Sequence, residues 1–215
     1  MIPKGALTHE MISRVSAPIL VSSLRHMPEQ VVLARAGHLV SVINAHMMPL
    51  TPPSIDPRRH LKLAINEIAE TEASIRHPVA AHIEQLIAFL TKWNRVEPLL
   101  IHCFAGLSRS TAAAYIGLCA LEPETPETLL AHRLRQASET AAPNRIMVAV
   151  ADHLLQRGGR MAAAIDLIGP GMPAAEGRPF SLTVPAARPG AVAAREDEAP
   201  SGVVVALRRC PVASG

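Results

Sequence analysis

The sequence contains very few aromatic residues and few cysteines. Phe, Tyr and Trp together make up 2% of the 215 residues, so the hydrophobic core must be built from Leu, Ile, Val, Met and Ala. So few rings also offer little for stacking nucleic-acid bases. The three cysteines are an odd number and lack Cys-x-x-Cys spacing, which argues against a disulfide framework and against a zinc site. We therefore expect a protein of the reducing cytoplasm.

Long charged runs and long apolar runs are also missing. The 21 basic and 18 acidic residues give a net charge of +3 at pH 7, and their dispersal favours small anionic ligands over nucleic acid. The N-terminus lacks the pattern of a signal peptide, and no apolar run is long enough to cross a bilayer. The ten histidines form no His-x-His or His-Glu-x-x-His pattern. The sequence predicts no nucleic-acid or membrane partner, no catalytic metal and no cofactor.

The residues that can carry chemistry are concentrated in one stretch, residues 98–117. The apolar run 99–101 predicts a buried strand, and an Ala-rich segment from about Arg109 predicts a helix. A loop of small residues lies between them, with Gly106 near its centre. Cys103 therefore stands at the C-terminal end of a strand, with five residues between it and the arginine that opens the next helix.

This spacing suits a nucleophile beside a bound anion. A loop that curls into a helix N-terminus points several backbone N–H groups at one place, and the helix dipole adds positive potential there. That field favours the thiolate form of Cys103. The guanidinium of Arg109 can bind two oxygens of a phosphoryl group, and Gly106 lets the backbone turn without a side chain. The stretch predicts a phosphoryl-binding site that contains its own nucleophile.

The string HCFAGLSRS, residues 102–110, resembles a known signature. Its Cys-x5-Arg core is similar to the signature loop of the cysteine-dependent protein tyrosine phosphatase superfamily, and its Gly-x-Ser-Arg-Ser ending is most similar to the dual-specificity branch. The wider sequence resembles bacterial tyrosine-phosphatase-like proteins at residues 60–64, at Trp93 and at residues 142–145. The resemblance covers about residues 18–180 and is specific across the loop with its flanking strand and helix.

The resemblance implies a metal-free phosphatase that acts through a phosphocysteine intermediate. Its partner would be a phosphorylated protein, with phosphotyrosine, phosphoserine or phosphothreonine, or a small phosphoester. Cys103 is then the nucleophile, Ser110 stabilises the leaving sulfur, and His102 orients the loop. For Ser110, a hydroxyl that satisfies a backbone amide at the helix start is an equally good interpretation. The phosphoryl group would be bound by Phe104, Ala105, Gly106, Leu107, Ser108 and Arg109.

The residue that protonates the leaving oxygen is where the sequence departs from the family. Related proteins carry an aspartate for this step on a loop upstream of the cysteine, but no Asp occurs between Asp56 and Cys103. Glu67 stands at the place that resembles that aspartate and is the first candidate. Glu70 and Glu72 follow on the same loop, and Asp56 lies on a Pro-rich loop. Because a positioned acid gives about 10²–10⁴-fold in rate, a longer side chain that places its proton poorly predicts a slow enzyme.

Strand and helix patterns alternate along the chain. Strands are predicted at residues 18–24, 38–43, 60–65 and 99–101, and helices at 28–35, from 78, from 109, from 125, at 143–156 and at 161–168. The alternation predicts an α/β fold with a central, mostly parallel sheet flanked by helices, like that of protein tyrosine phosphatases, and a site beyond the carboxyl ends of the strands. Residues 1–17 are predicted as a lead-in, 18–170 as the phosphatase domain and 171–215 as a weakly ordered, Pro- and Ala-rich tail.

The same stretch is consistent with two further functions. Without the aspartate, the loop suits a catalytically weak, phosphate-binding pseudophosphatase, and the persulfide-forming loops of sulfurtransferases are a more distant alternative. Cys119 could protect Cys103 by forming a disulfide with it, but ten helical residues separate Cys119 from Arg109 by ~15 Å, which disfavours a direct bond. Cys119 is therefore expected to be a core cysteine. Arg58, Arg59 and His60 suit a second anion site, but a solvated basic turn is the simpler interpretation. The only tyrosine, Tyr115, is expected in the core, which leaves no ring beside the pocket to select phosphotyrosine.

Overall fold

A computed structural model describes residues 16–66 and 78–186. The described chain contains one five-stranded sheet, with β1 (Ile19–Ser23), β2 (His38–Ile43), β3 (His60–Ala64), β4 (Leu99–Cys103) and β5 (Phe180–Leu182). The strand order is β3-β2-β4-β1-β5. The first four strands are parallel, and β5 pairs antiparallel with β1. The predicted central, mostly parallel sheet is confirmed, and the strand that ends in Cys103 lies in its middle.

Six α-helices flank this sheet within the described residues. They are α1 (Met27–Leu33), α2 (Pro78–Lys92), α3 (Arg109–Leu121), α4 (Glu127–Ala137), α5 (Arg145–Leu154) and α6 (Arg160–Ile168). The sequence Thr125-Pro126-Glu127 predicts that Thr125 caps α4, and this prediction is wrong. Pro126 occupies the N-cap position, and the hydroxyl of Thr125 instead donates to Glu122 Oε2 at 3.3 Å. Proline fixes the backbone where this helix begins, and its side chain carries no group that can cap the first turn.

The sheet has apolar side chains on both faces, as a covered parallel sheet requires. Successive residues of a strand point to opposite faces, so Leu39 and Leu100 pack under α1, whereas Val40 and Ile101 face the larger core beneath α2–α6. Helix α3 is buried over almost its whole length. Its run of small residues, 112–114, lets the helix pack closely against the sheet and holds its first turn at the carboxyl edge of β4.

The segment 171–186, which the sequence assigned to the tail, takes part in the folded domain. Strand β5 extends the sheet beside β1, and Leu182 and Val184 are buried in the larger core. The rest of the predicted tail, residues 187–215, lies outside the described residues, as do residues 1–15. Across the parts of the chain that the structure describes, no helix has the length and apolar character needed to cross a bilayer.

Candidate active site

Cys103 is the last residue of the central strand, and two polar groups approach its sulfur. The N–H of Gly106 donates to Sγ at 3.2 Å, and the hydroxyl oxygen of Ser110 lies 3.1 Å from Sγ. Cys103 is only 2% exposed, so the sulfur lies at the base of the loop that follows it. An amide and a hydroxyl aimed at one sulfur are both groups that donate to an anion. The sulfur therefore has two neighbouring groups that can donate to it when it is ionised.

The loop carbonyls point away from this centre. Four of them accept hydrogen bonds from backbone N–H groups outside the loop: Phe104 from Leu24 at 3.1 Å, Ala105 from Gly177 at 2.8 Å, Leu107 from Ala142 at 2.9 Å, and Ser108 from Asn144 at 3.3 Å. In a planar trans peptide the C=O and the following N–H point in opposite directions, so the amides after these carbonyls face the inner side. The N–H of Gly106, which follows the Ala105 carbonyl, reaches the sulfur in this way. The loop presents its amides inward because its carbonyls are bonded outward.

Gly106 is required by both conformation and space. Its φ is +74°, in the left-handed region that disfavours a side chain. A Cβ at this position would lie 2.8 Å from the backbone nitrogen of Ser23 and 2.9 Å from the carbonyl carbon of Ser22. Both contacts are to the backbone of β1, which cannot move aside without disturbing the sheet. The loop therefore curls tightly against β1 only because this residue is glycine.

Arg109 begins α3 and is 4% exposed. Its Nη1 donates to Oδ1 of Asn44 at 2.6 Å and to the carbonyl oxygen of Ile65 at 2.8 Å. Asn44 directly follows β2, and Ile65 directly follows β3. The guanidinium is thus fixed at the carboxyl edge of the sheet by the segments that leave two neighbouring strands. A fixed cation at this edge can contribute positive charge to an anion that enters the loop.

His102 is fully buried in β4 and links the loop to β2. Its Nδ1 lies 3.3 Å from the carbonyl oxygen of Cys103, and its Nε2 lies 2.6 Å from the hydroxyl of Ser41. Burial lowers the pKa of His102 to about 4, so the imidazole is neutral at pH 7. A neutral, doubly hydrogen-bonded ring suits the predicted role of orienting the loop.

Of the four candidates for the proton donor, Asp56 is the one that the structure describes. Asp56 accepts hydrogen bonds from the backbone N–H and the guanidinium of Arg58. The side-chain hydrogen bond from Arg58 lowers the pKa of Asp56 to about 2, so this carboxyl carries almost no proton at neutral pH. That argues against Asp56 as an acid. Glu67, Glu70 and Glu72 lie outside the described residues.

The neighbouring basic residues are engaged in surface ion pairs. Arg58 pairs with Asp56 at 2.7 Å, and Arg59 pairs with Glu97 at 2.5 Å. Both arginines are largely exposed. These pairs favour the expected solvated turn over a second anion site.

Cys119 and Tyr115 lie in the core, as expected. Both side chains are fully buried in α3. Burial raises the pKa of the Cys119 thiol to about 12, and the Tyr115 hydroxyl donates to the carbonyl oxygen of Glu127 at 3.2 Å.

The position of Phe104 does not agree with the expectation that no aromatic ring lies beside the pocket. It directly follows Cys103 and is 54% exposed, so one aromatic ring is available at the surface of the loop.

The structure adds two residues that the sequence did not indicate, Glu176 and Gly177. The N–H of Gly177 donates to the Ala105 carbonyl, and a Cβ on Gly177 would lie 2.9 Å from the carbonyl oxygen of Gly106. Oε1 of Glu176 accepts from the hydroxyl of Ser23 at 2.5 Å. The segment therefore supports the outer side of the loop. Its Gly- and Pro-rich composition signals a turn, and nothing in that composition indicates which loop the turn contacts.

Several solved phosphatase structures are similar to this chain. DUSP15 is matched over 69% of this chain and 90% of its own, with 14% identity and a TM-score of 0.50. PTPMT1 in complex with PI(5)P is matched over 65% and 90%, with 12% identity and a TM-score of 0.49. The PTP-2 phosphatase of Cydia pomonella is matched over 63% and 84%, with 18% identity and a TM-score of 0.48. No protein-family model and no curated protein matches the chain. The likeness to DUSP15 shows that the chain has the fold of the dual-specificity and protein tyrosine phosphatases.

Proposed function

We propose that this chain is a cysteine-dependent phosphatase that hydrolyses phosphomonoesters through a phosphocysteine intermediate. The observation that carries the proposal is the orientation of the signature loop, residues 103–109, whose carbonyls are bonded outward so that its amides face the sulfur side. Inward amides and the guanidinium of Arg109 supply the positive groups that a phosphoryl dianion requires. The nucleophile, Cys103, lies at the base of the same loop.

In the first step the thiolate of Cys103 attacks phosphorus. A sulfur–phosphorus bond forms as the bond between phosphorus and the ester oxygen breaks, and the departing oxygen takes a proton from a carboxylic acid. Arg109 and the loop amides bind the remaining phosphoryl oxygens, where negative charge is concentrated in the transition state. Because Cys103 is buried, only a group small enough to enter the loop reaches its sulfur, and a phosphoryl group meets that requirement.

In the second step water replaces the cysteine. An oxygen–phosphorus bond forms, the sulfur–phosphorus bond breaks, and the proton of the water returns to the carboxylate, which restores the starting protonation. The hydroxyl oxygen of Ser110 lies 3.1 Å from Sγ, and a hydrogen bond from this hydroxyl stabilises the sulfur as it leaves as an anion. Inorganic phosphate is the product.

We propose Glu67 as the carboxylic acid in both steps. Its support is the sequence resemblance and the position of Ile65, whose carbonyl contacts the guanidinium of Arg109 two residues before Glu67 in the chain. Asp56 lacks a proton to donate at neutral pH because its pKa is about 2. We expect Glu67→Gln to lower the rate most for substrates with poor leaving groups, such as alkyl phosphates, and least for activated aryl phosphates.

The test is hydrolysis of a small aryl phosphate, with and without a chelator. We expect activity that the chelator does not change and that Cys103→Ser lowers by at least about a thousandfold. Cys119→Ser is the matched control, since it removes a second buried thiol outside the loop. Acid quenching should trap one phosphoryl group on Cys103 in the wild type and none in Cys103→Ser. Full activity in Cys103→Ser would overturn the proposal.

A second candidate is a phosphate-binding protein with little or no turnover. It is favoured by the absence of an aspartate between Asp56 and Cys103, together with the ion pair that engages Asp56. It predicts that phosphate or a phosphopeptide binds, that Arg109→Lys weakens binding, and that no phosphoenzyme forms. Calorimetric titration of inorganic phosphate beside the acid-quench experiment separates the two candidates.

A further inference from the structure

A chain of hydrogen bonds crosses the sheet from the Pro-rich loop to the signature loop. The hydroxyl of Thr51 lies 2.8 Å from Nδ1 of His60, and Nε2 of His60 lies 2.8 Å from the hydroxyl of Ser41. The same hydroxyl lies 2.6 Å from Nε2 of His102, whose Nδ1 lies 3.3 Å from the carbonyl oxygen of Cys103. Thus three neighbouring strands, β3, β2 and β4, each contribute one side chain, and Ser41, His60 and His102 are buried.

The proton positions along this chain of hydrogen bonds follow from its last acceptor, the carbonyl of Cys103. The Cys103 carbonyl only accepts, so Nδ1 of His102 donates to it. Burial lowers the pKa of His102 to about 4, so the ring carries a single proton at pH 7 and its Nε2 must accept. Ser41 therefore donates its hydroxyl hydrogen to Nε2 of His102.

The proton positions in the other two hydrogen bonds, between Ser41 and His60 and between His60 and Thr51, are then fixed as well. Having donated its only hydrogen, the Ser41 oxygen accepts from Nε2 of His60. Burial lowers the pKa of His60 to about 4, so this ring is also neutral and its Nδ1 accepts from the hydroxyl of Thr51. Every donor points the same way, from the Pro-rich loop toward the nucleophile. The reverse direction would place an unprotonated Nδ1 of His102 against a carbonyl oxygen, which is repulsive.

We propose that Ser41, His60 and Thr51 are positioning residues that hold His102 in the Nδ1-protonated form and thereby fix the first peptide plane of the signature loop. The inference rests on the proposed phosphatase function of that loop. When the Cys103 carbonyl is held by His102, the N–H of Phe104 on the same peptide points to the opposite side. The chain thus sets the orientation in which the loop starts.

The direction of donation predicts graded effects. Ser41→Ala removes the donor to His102 directly and has the largest effect, with kcat/KM lowered about tenfold. His60→Gln keeps a donor toward Ser41 and loses only the acceptor for Thr51, so its effect is smaller. Thr51→Val is nearly isosteric and most remote, so we expect a loss of about threefold or less. Ser41→Thr keeps the hydroxyl and should restore most of the activity.

The matched control is Ser22→Ala. Ser22 is also buried and sits in β1 in register with His102, but its hydroxyl donates to the Ser23 carbonyl and takes no part in the chain. We expect Ser22→Ala to leave kcat/KM and the alkylation rate of Cys103 within about twofold of the wild type. Ser41→Ala should slow alkylation of Cys103 by iodoacetamide at neutral pH about tenfold.

The deciding measurement is the ¹⁵N spectrum of the His102 ring in the wild type, which distinguishes a protonated from an unprotonated nitrogen. We expect a protonated Nδ1 and an unprotonated Nε2, with a mixture of both forms in Ser41→Ala. If Ser41→Ala does not fold, the wild-type spectrum decides the inference by itself. A protonated Nε2 in the wild type, or equal behaviour of Ser41→Ala and Ser22→Ala, overturns the inference. The spectrum and the alkylation rates need no turnover, so they decide it even if the chain hydrolyses no phosphoester.

Discussion

The surroundings of Cys103 and Cys119 show what distinguishes two equally buried thiols. Cys103 is 2% exposed and Cys119 is fully buried, and both belong to the same β4–loop–α3 unit. A backbone N–H and a hydroxyl approach the sulfur of Cys103. Cys119 instead lies inside the larger core, where burial raises its pKa to about 12. Burial is therefore shared by the two thiols, and the feature specific to Cys103 is the backbone N–H of Gly106 that donates to its sulfur.

The strongest test of this difference between the two thiols is to alkylate both of them in the folded protein. With a pKa of about 12, Cys119 carries a thiolate fraction of about 10⁻⁵ at pH 7. We expect iodoacetamide to modify Cys103 at least about a thousandfold faster than Cys119, measured by peptide mass spectrometry over a time course. In denaturant, which is the control, the two rates should become similar. Similar rates in the native protein would remove the distinction.

Two glycines extend the comparison to the backbone around each thiol. Gly106→Ala would place a Cβ 2.8 Å from the Ser23 backbone at a φ of +74°, so we expect a loss of about 1–3 kcal/mol in stability and at least about tenfold in activity. Gly117→Ala lies within α3, where the Cβ would meet the end of the Ile19 side chain at 3.3 Å. Because alanine favours helix and that side chain can shift, we expect a change within about 1 kcal/mol. Urea unfolding of the two variants beside the wild type tests this, and equal destabilisation would contradict it.

The smallest expected effect is on the pH dependence of stability, and it comes from the two buried histidines of the hydrogen-bond chain that ends at the Cys103 carbonyl. His60 and His102 have a pKa of about 4 in the folded protein, below the value of about 6.5 in an unfolded chain. Between these values the unfolded chain binds more protons, so their contribution to stability is complete above about pH 6.5 and is lost as the pH falls toward 4. We expect His60→Gln to show a shallower fall in the free energy of unfolding between about pH 6.5 and 4.5. Parallel curves for wild type and variant would show that His60 contributes nothing.

Local patterns in the sequence were sufficient to predict the strand, loop and helix at the centre of the molecule. The apolar run before Cys103, the small-residue loop and the Ala-rich helix are contiguous, so their order in the chain is also their order in space. Strand β2 was predicted with its observed bounds, residues 38–43, because both of its ends are marked by turns. The segment 142–145, where the sequence resembles bacterial tyrosine-phosphatase-like proteins, donates two backbone hydrogen bonds to the signature loop.

The parts that sequence alone did not provide depend on strand register or on distant contacts. Ser41, His60 and His102 meet because β3, β2 and β4 are adjacent in the sheet, which the order of the strands along the chain does not reveal. Strand β5 has three residues, too few for a period-2 pattern to stand out. Gly177 likewise gains its importance only from the carbonyl that it contacts.

The outward hydrogen bonds of the signature loop have a consequence for how the protein is made. The four donors come from Leu24, Ala142, Asn144 and Gly177, which span most of the described chain. A nascent polypeptide that has reached only residue 170 already contains Cys103 and Arg109, yet it lacks both the last of these donors and the edge strand beside β1. Cys103 is thus translated before Gly177 and β5, which complete the surroundings of its loop. The signature loop therefore takes its last backbone hydrogen bond, and the sheet its edge strand, only when residues 177–182 have been added.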